Sequence, residues 1–405
     1  MDEQIRGWLQ GVPEREGFAQ YEIRRTGATG KNDGYIGDIV FVTVSGMTKD
    51  KQEKQLDLVI KVSKDNQYLR DNFIIVPAFK QEIHFYDKVL PEFESFQEEK
   101  AVKQMFQSFP KYYMSLELPK REVIVLQNVK TLGYELHNRE KTMNFEHTKA
   151  VLTEYGRLHA ISFALRDQRT ATYESLAGKC KDLFLEFMRL PKSQDAFNHE
   201  FKKVLNILKE FGEADLYRKF SKYQTTGAKT FMEMCEMIEP QNCFAHGDGW
   251  NNNFMFKYKD STKSSPSSVC ILDWQASVIR TPVYDLSYFL YSSCSHVLDR
   301  FEELLHIYHD SFSNFIRQLG SSPDIFTFED LKKHWKKYSI SGALFLPFLL
   351  KFVLAEEHDA PDFNDMEHGQ SISDLVDITL TEHAKRQYYD RVKAAFQHQI
   401  ETCSD

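Results

Sequence analysis

Through the first third of the chain the apolar positions gather into short, β-branched stretches set apart by polar turns. Ile39-Val-Phe-Val-Thr-Val44 and Leu56-Asp-Leu-Val-Ile-Lys-Val62 are two such runs, and the polar residues 46–55 between them predict a turn joining two strands of a small sheet. Glu122-Val-Ile-Val-Leu126 predicts a third strand. Between these runs Phe79, Ile83, Tyr86 and Leu90 recur at helical spacing. Pro77 precedes them, and proline suits the first turn of a helix, so an amphipathic helix is expected to begin there.

Beyond residue 130 the period changes. Val151, Tyr155, Leu158, Ser162 and Leu165 step along one helix face, and Phe301, Leu305, Tyr308, Phe312, Phe315 and Leu319 do the same. One β-like island interrupts them: Asn253-Phe-Met-Phe-Lys-Tyr258 and Val269-Cys-Ile-Leu272, joined by the Ser/Lys/Pro-rich segment Lys259–Ser268. Ile340–Leu354 is strongly apolar, yet it is short for a bilayer and is broken by Pro347 and Lys351, so it reads as a buried helix and no membrane span is expected. A strand-rich start and a helical remainder imply an α+β fold of two lobes with a cleft between them: residues 1–130 as the first lobe and 131–405 as a larger helical one.

Composition narrows the class. The 405 residues, 42% of them hydrophobic, are enough to bury two lobes. A formal net charge of -8, without a basic tract, argues against broad nucleic-acid binding. The cysteines at 180, 235, 243, 270, 294 and 403 form no C-x-x-C pair and match neither a zinc site nor a disulfide framework. The polar start leads into no secretory h-region, and no N-x-[ST] acceptor occurs, so a cytoplasmic setting is the expectation. No obligate protein partner is evident.

Chemistry concentrates in His246-Gly-Asp248-Gly-Trp250-Asn-Asn-Asn253. Phosphoryl transfer asks for positioning more than covalent help: a carboxylate to orient the acceptor hydroxyl, and oxygen ligands for magnesium. Asp248-x-x-x-x-Asn253 offers both from one loop that runs into a strand, and Asp273 ends the next apolar run as a second metal carboxylate. Protein kinases share this grammar of Asp, Asn and a later Asp. The bland alternative is a loop turn in which His246 and Asp248 are satisfied locally.

If the chemistry is a kinase's, the first lobe must hold the nucleotide. Lys61, within Leu58-Val-Ile-Lys61, stands where a strand lysine reaches the α- and β-phosphates, and Glu82 on the predicted helix is placed to pair with it. Taken singly, each is more often a solvated residue. Gly27-Ala-Thr-Gly30-Lys-Asn-Asp-Gly34-Tyr-Ile-Gly37 precedes the first predicted strand, and glycines allow backbone N–H groups close to phosphates. Its spacing matches no standard phosphate loop, and a hairpin turn is the plainer reading; its place ahead of Lys61 makes a phosphate-covering loop through Gly30 and Gly34 plausible.

The ordered set resembles the ecdysteroid kinase-like family, which is similar to choline kinases and aminoglycoside phosphotransferases. The likeness is carried by Asp33-Gly-Tyr-Ile-Gly-Asp38, Leu58-Val-Ile-Lys61, Phe79-Lys-Gln-Glu82, Val123-Ile-Val-Leu126 and Gly156-Arg-Leu-His159. It continues through His246-Gly-Asp248, Ile271-Leu-Asp273-Trp-Gln275 and Pro282-Val-Tyr-Asp285-Leu-Ser-Tyr-Phe-Leu290. The resemblance implies a protein-kinase-like fold whose first lobe has a sheet and one helix. It implies ATP, Mg²⁺ and a small-molecule alcohol acceptor. By carry-over Asp248 is the catalytic base, Asn253 and Asp273 hold magnesium, Lys61 holds phosphate and Glu82 fixes Lys61, while main-chain groups near Gln127 and Val129 meet adenine. Two positions depart from the family's habit. Gln127 stands where Glu is usual, which leaves main-chain recognition of adenine intact, and Trp274 follows Asp273 where Phe is commoner.

Asp285 is expected to brace the catalytic loop as a buried acid, and His159 to be a packing residue. Most of the aromatic residues recur at helical spacing as core, although some are candidates to line an apolar acceptor pocket or an aromatic cage. The acidic stretch 356–367 offers itself to a cationic acceptor, against the commoner reading of a solvated loop. Acceptor specificity is expected in residues 165–235 and beyond 295. The reading that results is an ATP-dependent kinase for a steroid-like or other lipophilic alcohol. Its rivals are a choline-, ethanolamine- or aminoglycoside-type kinase and a non-catalytic nucleotide-binding pseudokinase. A protein kinase fits less well, because no A-P-E follows and Asp273 lies close to Asp285.

Overall fold

The structure is a computed structural model that describes residues 2–28, 36–355 and 378–403. Two short helices, α1 (Asp2–Trp8) and α2 (Val12–Arg15), lead into an antiparallel sheet of β1 (Phe18–Ala28), β2 (Gly37–Thr48), β3 (Glu53–Ser63), β4 (Tyr112–Leu118) and β5 (Arg121–Gln127), in the order β1-β2-β3-β5-β4. Between β3 and β4 come α3 (Gln67–Asn72), α4 (Ile75–His84), a π turn (Phe85–Val89) and α5 (Leu90–Glu99).

The alternation of strand residues explains how the sheet serves a site. On β3, Leu58, Ile60 and Val62 pack with Val123 and Val125 of β5 into a core closed by Ile5, Trp8, Leu9 and Val12. Side chains alternate faces along a strand, so Val59 and Lys61 project to the other side, toward the cleft. On that side Ile124 and Leu126 join Phe79, Ile83 and Phe85 in a core continuous with the helical region.

Then follow β6 (Tyr134–Leu136), α6 (Phe145–Gln168), α7 (Thr170–Ala177), α8 (Leu183–Arg189), α9 (Ser193–Glu210), α10 (Ala214–Phe220) and α11 (Tyr223–Glu236). Next come β7 (Cys243–Ala245), β8 (Phe254–Tyr258), β9 (Pro266–Ile271) and β10 (Val278–Arg280), with β6-β8-β9 forming one small sheet and β10-β7 another. The chain continues through α12 (Pro282–Ser293), α13 (Phe301–Gln318), α14 (Phe328–Tyr338), α15 (Ile340–Leu354) and α16 (Glu382–Cys403). A β-sheet N-terminal region and a helical C-terminal region make the fold α+β in the two-lobed, kinase-like manner expected.

Several local expectations need correction. The turn foreseen over 46–55 is shorter, because β2 runs to Thr48 and β3 resumes at Glu53. The helix expected from Pro77 begins at Ile75, and the N-terminal region carries five helices among its described residues, not one. Its periodicity also concealed the π turn, whose wider loop directly precedes the Leu90-Pro91 start of α5, where the proline ring supplies no N–H. α15 is a buried helix that carries Pro347 within it. No single helix among the described residues is long and apolar enough to cross a membrane.

Candidate active site

The cleft between sheet and helices encloses about 230 Å³, with Ile39, Val59 and Lys61 on the sheet side and Asp248, Asn253 and Asp273 opposite. Lys61, on β3, is buried, and its Nζ stands 2.6 Å from Glu82 Oε2 on α4 and 2.6 Å from Asp273 Oδ1 after β9. Burial alone would depress the lysine, but the negative charges of Asp273 and Glu82 raise it well above its ordinary value, so it stays a cation. Burial pushes Glu82 up, Lys61 pulls it back and Asp273 adds to the rise. One cation thus joins both sides of the cleft.

The loop carrying Asp248 is folded by the chain around it. β7 pairs with β10, Ala245 facing Val278, and the loop starts from the fully buried His246. Gly247 then turns at φ 85, and a Cβ there would lie 2.1 Å from the Ala276 carbonyl oxygen, so no other residue fits the turn. Asp285 of α12, fully buried, accepts from the His246 N–H at 2.7 Å and the Gly247 N–H at 2.8 Å. His159 of α6 lies 3.1 Å from the same carboxylate, with its other ring nitrogen 2.9 Å from the Tyr308 hydroxyl. His246 Nε2 donates to the Leu272 carbonyl at 2.9 Å, which links the loop to the approach of Asp273.

Asp248 is half-buried. Tyr288 of α12 donates its hydroxyl to Asp248 Oδ1 at 2.7 Å, and Asn253 Nδ2 donates to Oδ2 at 3.0 Å and to the Asp248 carbonyl at 2.8 Å. Burial lifts the carboxyl above the usual aspartate range; Tyr288, His246 and Asn253 act against the lift and Asp273 adds to it. Asp273 itself adopts a left-handed backbone at φ 62. Trp274, after it, is fully buried, stacks on Phe85 at 5.2 Å and meets the His246 ring edge-on at 5.0 Å, so the larger ring fills the space behind the loop.

Of the residues singled out by sequence, Lys61, Glu82, Asp248, Asn253 and Asp273 all line this cleft, together with Gln127 and Val129 at the end of β5. The Gln127 N–H donates to the Lys111 carbonyl and the Asn128 N–H to the Asp57 carbonyl, which fixes that segment against the sheet. Gly30, Gly34 and the acidic stretch 356–367 lie outside the described residues. Three supporting residues escaped the sequence reading: Tyr288, Gln81 and Asn251. Gln81 of α4 donates to the Ser277 carbonyl at 2.6 Å and to the Lys181 carbonyl at 2.9 Å. Asn251 donates to the Lys141 carbonyl at 2.7 Å, which anchors the loop to the segment before α6.

The sequence signature of the ecdysteroid kinase-like family matches residues 31–321. The chain belongs to that family. The match takes in the sheet from β2 onward, the loop carrying Asp248, and α12 with Asp285 and Tyr288. Among solved structures, this ecdysteroid kinase-like chain is similar to the aminoglycoside phosphotransferase APH(3'')-Id from Streptomyces rimosus. The identity is 11% and the TM-score 0.29, over 84% of this chain and 97% of that one. Among curated proteins, none matches.

Proposed function

We propose that this chain is an ATP-dependent small-molecule kinase, with Asp248 as the base that receives the proton of an acceptor alcohol. The observation that carries the reading is the convergence of Lys61, Glu82, Asp248, Asn253 and Asp273 on one cleft from separate stretches of the chain. Residues to about 130 would form the nucleotide-binding lobe, with main-chain groups at Gln127 and Val129 at the adenine end and Lys61 at the phosphates.

The donor set fits magnesium. Asn253 spends its amide N–H on Asp248, which leaves its Oδ1 for a cation, and Asp273 engages Lys61 through Oδ1 only. One carboxylate and one amide oxygen, completed by phosphate oxygens, is the hard-ligand pattern Mg²⁺ prefers. Bound there, the ion would neutralise charge on the phosphates. In the transfer, the acceptor O–H bond breaks toward Asp248 and the acceptor oxygen bonds to the γ-phosphorus. The bond from that phosphorus to the bridging oxygen breaks, and its electron pair leaves with ADP.

For the acceptor we favour a steroid-like or other lipophilic alcohol. Support comes from the family's description and from the aromatic rings gathered around Tyr288, the partner of Asp248: Tyr288 lies 5.6 Å from Phe345 and 6.2 Å from the half-buried Phe184. The test is Mg²⁺-dependent ADP release with ecdysteroids, sterols, choline and aminoglycosides in turn. A lipophilic alcohol should stimulate turnover, and Asp248→Asn should lower it by about 10²-fold or more. If no acceptor stimulates ADP release and Asp248→Asn matches the wild type, the chain is a nucleotide-binding module and not a kinase.

A further inference from the structure

On α12, Asp285 and Tyr288 are one turn apart and face the same loop. Asp285 holds the main chain of His246 and Gly247, and the Tyr288 hydroxyl reaches the next residue's side chain, Asp248 Oδ1, at 2.7 Å. The helix is buried along its whole length, and Tyr288 is itself 5% exposed, so water competes poorly for this bond. Asn253 takes the other carboxylate oxygen. With one donor on each oxygen, the Asp248 side chain has a single orientation, and each oxygen keeps a lone pair for an acceptor hydroxyl.

We infer that Tyr288 is a positioning residue of the phosphoryl-transfer site: its hydroxyl, delivered by the helix that braces the loop, aims the Asp248 carboxylate at the acceptor. The inference rests on the kinase reading above. It goes beyond packing, because Phe345 and Phe184 already seat the ring without its hydroxyl.

Tyr288→Phe keeps the ring and removes only the hydroxyl. Its effect is read on the full chain in Mg²⁺-ATP turnover, with water as acceptor if no alcohol stimulates. Because only the aim of the carboxylate is lost, kcat at neutral pH should fall about tenfold with the KM for ATP unchanged. In carboxyl-carbon NMR of labelled aspartates at one fixed pH, with the Asp248 signal assigned from Asp248→Asn, that signal should shift as its fixed orientation is lost. An unmoved kcat with an unmoved Asp248 signal, in a variant that melts like the wild type, overturns the role of Tyr288 and leaves the kinase reading standing. A wild type that turns over no ATP under any condition overturns the kinase reading and this inference with it. If Tyr288→Phe does not fold, the wild type is read instead: a slowly exchanging Tyr288 hydroxyl proton that Asp248→Ala removes supports the bond, and its absence overturns the role.

Discussion

The two sides of the cleft are fastened by different chemistry. On the sheet side a single cation, Lys61, stands between two carboxylates drawn from α4 and from the turn after β9. On the helical side one carboxylate, Asp285, gathers two main-chain N–H groups and a histidine, and Asp248 in turn is held by the neutral donors of Tyr288 and Asn253. The first arrangement joins the two parts of the molecule through long side chains around a charge, so its strength depends on protonation. The second fixes a loop through its backbone, where the geometry is short-range and tolerates little. If the cleft transfers phosphoryl groups as proposed, it has use for both: Lys61 would adapt to a nucleotide entering and leaving, whereas Asp248 would already be in place.

The largest effect should come from breaking the fixed side. Asp285→Ala leaves two buried N–H donors and His159 without their shared acceptor, and the site is fully buried, so solvent cannot replace it. A loss of about 3–5 kcal/mol in unfolding free energy is expected, the range for removing one member of a buried charged network. Urea denaturation measures it. A loss under about 1 kcal/mol would mean that the loop holds its shape without α12, and the contrast between the two sides would collapse.

The adaptable side should yield less, and in a pH-dependent way. Lys61→Met leaves Glu82, 1% exposed, facing Asp273 with no cation between them. Burial already raises Glu82, and Lys61 is the largest influence that lowers it, ahead of the Trp274 backbone, so in the variant its folded value climbs further above that of the unfolded chain. A raised acid binds its proton more tightly when folded. The folded state is therefore favoured at low pH, and that advantage is lost as pH rises through the folded value. Lys61→Met should cost about 2–3 kcal/mol at pH 8 and distinctly less at pH 5, measured by denaturant unfolding at both. A loss that is equal at the two values would show that Glu82 keeps its charge without Lys61.

The residues that read well from sequence are those whose chemistry is unusual for their place. A lysine inside an apolar strand, an Asp and an Asn spaced along one loop, and an Asp closing a hydrophobic run each stood out before any fold was drawn, and the structure brings all of them to one cleft. What stayed hidden was support that reaches across long stretches of chain. Tyr288 looks like one more core aromatic until its hydroxyl is seen on Asp248, and Gln81 looks like a helix-surface amide until it meets Ser277 and Lys181. Two strands of the larger sheet were missed for a local reason. β1 and β4 are its edges, β1 mostly exposed and β4 mostly half-buried, so the short alternations Tyr21-Glu-Ile-Arg24 and Met114-Ser-Leu-Glu-Leu118 stand without the long β-branched run that marks a buried strand.

Gln81 offers the finest test of the comparison, because it too joins the two parts of the molecule but carries no charge. It sits beside Glu82 on α4, is 4% exposed, and its amide donates to Ser277 and Lys181 while its oxygen accepts from the Lys181 N–H at 2.7 Å. Gln81→Ala removes these bonds at once, but carbonyl groups keep a second lone pair for other donors, so the expected cost is about 1–2 kcal/mol. With no titrating group lost, that cost should be the same at pH 5 and pH 8, against the pH-dependent cost of Lys61→Met. Denaturant unfolding of both variants at both values makes the comparison direct. If the Gln81→Ala loss also shrinks at pH 5, the α4 contact acts through the seating of Glu82, and the two ties are one device.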